Sequence, residues 1–237
     1  MDASGLLDVW ERGYALASPL RTLALLAHAY PALSRAELAA LSLGRRDALL
    51  RDLRRDLFGD ALAFVSICPA CSSVVESTLN LADMPADAPA SVPPALALGE
   101  GSIAFRAPTL GDLVGLPDDP ERARRTLAAR CIADANRERA AELAETLSGE
   151  ALAALGAAMS AADPGAILGF ELECPDCAQR WPSGLDIAGF LWREIDAWAR
   201  RTLRDVHALA RAYAWSEREV LALSPTRRQV YLELCRA

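Results

Sequence analysis

The chain has 237 residues, enough for one large domain or two small ones, and its 52% hydrophobic and 24% charged residues are globular rather than disordered composition. The net charge of −7 is uneven: residues 61–189 carry eight Arg against eighteen acids, while residues 190–237 carry nine against six. An acidic middle argues against nucleic-acid binding, because phosphates must be neutralised by a basic groove, and it leaves the C-terminal segment as a candidate face for an acidic partner or for the acidic middle itself.

No basic-plus-apolar leader opens the chain, and no run of about 18 apolar residues could span a bilayer, so the expectation is a cytoplasmic protein with no membrane contact. Six cysteines in a reducing compartment point to metal rather than to disulfides.

Residues 6–30 read as one or two helices, with Pro19 tolerated in a first turn after Ser18. Ser34 and Glu37 form a capping box, and a longer helix with Leu49, Leu50, Leu53, Leu57 and Phe58 at helical spacing ends at Gly59. The N-terminal helical region therefore covers 1–60. Over 61–83 the texture changes to a hairpin: an apolar strand from Ala61 to Ile67 enters Cys68, and alternating residues from Val75 to Leu81 return. Residues 84–165 read as a Pro-rich linker to about 94, a possible strand from Gly101 to Ala107, and an Ala- and Arg-rich helical insertion from 109 to 160. That insertion breaks near Pro117 and Pro120 and again at Ser148-Gly149. Residues 166–186 form a second hairpin entering Cys174, and 187–237 is a C-terminal helical region with a second capping box at Ser216–Glu219 and a helix start at Ser224-Pro225. The fold class is mainly α with a small β zinc ribbon: two CPxC hairpins joined through a helical insertion and flanked by helices.

Cys68-Pro-Ala-Cys71 and Cys174-Pro-Asp-Cys177 each follow a strand. Two residues between thiols let one tight turn place both sulfurs on an ion, and two such turns complete a tetrahedron, so these four residues are the candidate ligands of one structural zinc. The gap between the pairs is unusually long for a ribbon, but loop-closure entropy grows slowly with length. Two unrelated thiol turns, or two redox pairs, are the alternatives. Glycine is expected after the second Cys of such a knuckle, where φ is positive; Ser72 and Ala178 stand there instead. Four thiolates leave no open metal position, and no nucleophile elbow, P-loop, dinucleotide fingerprint or H-E-x-x-H pattern occurs. The chain thus reads as a non-enzyme. Cys131 and Cys235 read as packing residues, and His28 and His207 as ordinary histidines.

Along the helix from Ile187 to Tyr213, Leu191, Ile195, Trp198, Thr202, Val206, Leu209 and Tyr213 share one stripe. Arg193, Arg200, Arg204 and Arg211 share the opposite face, either as a solvated surface or as a ridge that docks on an acidic partner. Asp196–Arg200 and Arg201–Asp205 are expected i,i+4 pairs.

The sequence from Phe190 to Tyr213, with Glu219-Val-Leu-Ala-Leu-Ser-Pro-Thr-Arg-Arg228 and Tyr231-Leu-Glu, resembles the C-terminus of the T4-type baseplate hub assembly chaperones of phage and of phage-tail-like contractile injection systems. Leu43-Gly-Arg-Arg-Asp-Ala-Leu-Leu50 and the two CPxC pairs resemble the same proteins, so that the likeness spans roughly 40–81 and 166–234. The resemblance implies an assembly factor that binds baseplate or hub components and performs no chemistry, with possible incorporation in a phage-like particle. A zinc-ribbon module linked to nucleic acid or transcription is the alternative; Glu76, Glu171, Glu173 and Asp176 around the knuckles weigh against it.

Overall fold

The structure is a computed structural model that describes residues 2–84, 95–98, 101–134 and 136–235. It is mainly helical, with three small antiparallel hairpins among the described residues. Most of the proline linker expected near 84–94 lies outside the described residues. The chain divides into two compact units, Met1–Ala29 with Ala188–Ala237, and Tyr30–Ile187.

The first unit joins the two ends of the chain. Helix α1 (Ala3–Tyr14) is capped by Asp2, whose carboxylate accepts from the Gly5 amide, and α2 (Ser18–Ala29) starts with Pro19 in its first turn. Residues 6–30 are thus two helices, broken where Leu16 closes a turn onto Gly13. The long α8 (Ile187–Tyr213) meets them: Trp10 Nε1 donates to Asp196 at 2.9 Å, and the Arg21 guanidinium lies 4.6 Å over the Trp192 ring. Gly13 permits that approach, since a Cβ there would sit 2.7 Å from Trp192. After α8, α9 (Glu217–Leu221) and α10 (Pro225–Leu234) fold back, burying Leu209, Val220 and Leu232 together. The Ser216–Glu219 capping box and the Ser224 cap both form.

The second unit begins with α3 (Arg35–Ala39), opened by the Ser34–Glu37 capping box, and α4 (Leu43–Phe58), which ends at Gly59 with φ 85°. Strands β1 (Ala61–Ile67) and β2 (Val74–Asn80) pair antiparallel, with Ile67 opposite Val74. A second hairpin, β3 (Ala95–Leu98) with β4 (Gly101–Ala104), leads to Phe105, which is fully buried.

Residues 109–119 form no α-helix, only a single 3-10 turn at Gly111–Leu113, contrary to the reading of 109–160 as a helical insertion, because Asp112 organises a turn instead. Its carboxylate accepts from the Thr109 amide and hydroxyl and, two-pronged, from Arg106, while Arg130 donates to the Asp112 and Val114 carbonyls. Burial works to raise the Asp112 pKa, but Arg106 and Thr109 outweigh it and hold the carboxyl below its ordinary range. Helices α5 (Pro120–Cys131), α6 (Arg137–Thr146) and α7 (Gly149–Ala162) then pack around Ala128, Cys131, Ala140, Ala144, Leu155 and Met159. The last hairpin, β5 (Gly169–Glu173) with β6 (Arg180–Gly184), completes the unit.

Candidate metal centre

Two local rules bring the cysteines to the strand ends. In β1–β2 the Cys68 amide donates to the Ser73 carbonyl and the Ser72 amide to the Cys68 carbonyl, at 2.9 and 3.0 Å. In β5–β6 the same two bonds recur, from Cys174 to Gln179 and from Ala178 to Cys174, both 2.9 Å. The two knuckles are copies of one turn. Each needs a left-handed residue after its second Cys, and Ser72 and Ala178 adopt it with φ of 61° and 59°. The glycine rule read from the sequence therefore concerned a real backbone conformation, which this chain reaches without glycine.

Longer-range packing brings the knuckles face to face. Phe64 of β1 meets Phe170 of β5 edge-on, ring centres 5.5 Å apart. Helix α4 feeds β1, and its start is tied to the segment before β5: the Gly44 amide donates at 2.8 Å to Asp163, a buried carboxylate. A Cβ on Gly44 would lie 2.2 Å from that carboxylate, so only glycine fits. This contact is the structural content of the Leu43-Gly-Arg-Arg segment, and sequence alone gave no sign of its partner 119 residues away.

All four predicted thiols, Cys68, Cys71, Cys174 and Cys177, converge. The Cys68–Cys177 and Cys71–Cys174 sulfurs are each 3.6 Å apart. A disulfide needs about 2.05 Å, whereas a tetrahedron with 2.3 Å metal–sulfur bonds has edges of about 3.8 Å. The donor set therefore fits one tetrahedral ion. Cys68 and Cys174 are buried with Val75 beneath Trp181, and Cys71 and Cys177 face outward.

The electrostatics ask for a cation. The Ser73 hydroxyl and amide, aided by Cys177 and Cys68, draw the Cys71 thiol down to about 6. Cys177 accepts from the Gln179 amide, yet Cys71, burial, Cys68 and Cys174 push its thiol up to about 12. Four thiols this close cannot all ionise alone; a bound cation removes the conflict by taking the place of the retained protons.

The other singled-out residues lie elsewhere. Cys131 is fully buried, its thiol pushed up to about 12 by burial and by Asp112, as a packing residue should be. Cys235 is exposed, so its reading as a packing residue is corrected: it sits past the last apolar turn of α10. Arg193, Arg200, Arg204 and Arg211 are all exposed on α8. Arg200 pairs with Asp196 at 2.9 Å and reaches the Tyr14 hydroxyl, Arg193 lies over Phe190, and Arg204 donates to the Arg200 carbonyl. The expected Arg201–Asp205 pair does not form among the described residues. No helix among them is long and apolar enough to cross a membrane.

A family model described as T4 bacteriophage base plate protein matches residues 31–186. No curated protein and no solved structure matches the chain. The matched span is almost the whole Tyr30–Ile187 unit, metal centre and acidic stretch included, and it stops before the C-terminal helices on which the resemblance read from the sequence leaned most. With two thirds of its length matched as one folded unit, the chain belongs to the family of the T4 bacteriophage base plate protein.

Proposed function

We propose that the protein is a non-enzymatic assembly factor, a chaperone that binds baseplate or hub components of a contractile phage-like tail, braced by one structural zinc ion. The family match over 31–186 carries the reading, because it covers the unit that owns the four thiols. Zinc is the natural occupant of four thiolates in tetrahedral array, and such a set leaves no position for a substrate. A protein-binding role is supported by an apolar patch that nothing in the unit's core explains. Val65, Ile67 and Val74, on one face of β1–β2, are 63%, 67% and 66% exposed. The nucleic-acid alternative is weakened at the second knuckle, where Arg180 is already held by Glu171 and Glu173 at 3.6 and 2.7 Å.

Deletion of the gene in a tail-producing host should leave sheath and tube proteins made but baseplates unassembled, as counted by electron microscopy. Ile67→Glu with Val74→Glu should give the same defect while the purified variant keeps its metal. Normal tails from the deletion strain would remove the assembly role, and iron in place of zinc by elemental analysis would overturn the metal assignment. Antibody detection in purified tails decides between a transient helper and a resident part.

A further inference from the structure

Within the terminal-helix unit, α8 and α10 border a cavity of about 560 Å3 lined by Trp198, Arg201, Arg204, Asp205, Arg228 and Leu232, among others. Arg228 is the most buried charge there: it is 8% exposed, and its Nε is buried with no hydrogen-bond partner among the described residues. Its Nη2 donates only a long bond of 3.4 Å to the Leu223 carbonyl. Among the described residues no carboxylate is paired with Arg201, Arg204 or Arg228, and Asp205 is the one acid on the cavity wall. Three guanidiniums against one carboxylate leave a positive excess beside an apolar wall. A buried guanidinium without a counter-charge is destabilising, and water cannot fully relieve it at that depth. The N-terminus of α10, whose Pro225 also lines the cavity, adds its positive dipole end.

We propose that this groove receives an acidic segment of a partner protein, with a carboxylate seated against Arg228 between Arg201 and Arg204 and an apolar neighbour laid on Trp198 and Leu232. Of the reading above, the proposal uses only that the protein acts by binding other proteins. Arg presents the planar fork that a carboxylate accepts in two-pronged fashion, which accounts for a buried arginine here better than packing does. A nucleic-acid strand is the poorer occupant, because a run of phosphates needs a longer basic track than three guanidiniums interrupted by Asp205.

The test uses the purified full-length protein and a short fluorescent peptide of Glu-Leu-Glu repeats, with its Gln-Leu-Gln counterpart and oligo(dT) as comparators. The Glu peptide should bind at least about tenfold more tightly than the Gln peptide or oligo(dT). Arg228→Met should lose about tenfold in peptide affinity and melt no lower than wild type, since it removes an unpaired buried charge. Arg201→Glu with Arg204→Glu, both on exposed positions, should weaken the peptide without changing the melting temperature. Equal binding of Glu and Gln peptides, preference for oligo(dT), or unchanged peptide affinity in both variants would overturn the proposal. So would a lower melting temperature for Arg228→Met with peptide affinity kept in the double variant, which makes Arg228 a structural residue, or a dimer of this chain that both variants dissolve. Normal tails from a deletion strain would instead remove the assembly role and leave the peptide result untouched.

Discussion

Around the four thiols, the buried residues are Cys68, Val75 and Cys174, with Trp181 laid against them. A few turns away in the same unit, ten buried residues from Ile103 to Met159 make a continuous core through α5, α6 and α7. The first region consists of two-stranded hairpins, which are marginal in water without further support. The second has enough apolar surface to hold itself, and its polar turn at Asp112 is satisfied internally. One region is built around four thiols placed to hold an ion, the other is held by packing, and the two should fail independently.

Breaking the first should give the largest effect. Cys174→Ser removes one of four donors and should abolish stoichiometric metal. It forfeits on the order of 10 kcal/mol of binding energy that is linked to the folding of both hairpins. Limited proteolysis should then cut within 61–80 and 169–184, while α5–α7 stay protected and far-ultraviolet circular dichroism remains helical. A variant that keeps one equivalent of metal would show that the four thiols are not a common site. The converse substitution, Leu155→Ala in the centre of the helical core, should cost about 3 kcal/mol by cavity formation and leave metal content unchanged. Joint loss of metal and helix in either variant would mean that the two regions fold as one.

The same contrast explains what could be read from the sequence. The knuckles were legible because their signal is local: alternating strands, a proline and two thiols set three apart in each turn. The capping boxes at Ser34 and Ser216 were legible for the same reason. The Asp112 turn was not, because its carboxylate is organised by Arg106 and Thr109 rather than by any period, and the Ala- and Arg-rich stretch that follows it extends a helical reading over 109–119, which hold neither residue. The break between α5 and α6 was missed likewise: Ile132 leaves the helix to bridge Phe105, a strand-like contact 27 residues back. The Gly44–Asp163 tie is a tertiary contact that no local rule encodes. On α8 the exposed Arg face was legible from period alone, but the buried Arg228 on α10 was not, since its burial comes from helices folding back on one another.

The smallest expected effect is also the most specific to the knuckle geometry. Ser72 and Ala178 occupy left-handed backbone at φ of 61° and 59°, and both side chains are exposed, so nothing is packed by having them. A non-glycine residue there costs about 1–2 kcal/mol, whereas glycine costs about 0.5–1 kcal/mol more chain entropy on folding. The two nearly offset, and the strain term wins by about 0.5 kcal/mol at each site. Ser72→Gly with Ala178→Gly should therefore raise the melting temperature of the metal-bound protein by a few degrees at most, and should tighten metal in a chelator competition by several-fold. Each single variant should give part of the gain, because the two turns repeat the same hydrogen bonds. Glycine at Gly59-like open positions offers no such test, since that residue is already glycine. A double variant that binds metal more weakly would mean that Ser72 and Ala178 do not sit in left-handed turns when the ion is bound, and the knuckles would then owe their shape to the metal rather than to the chain.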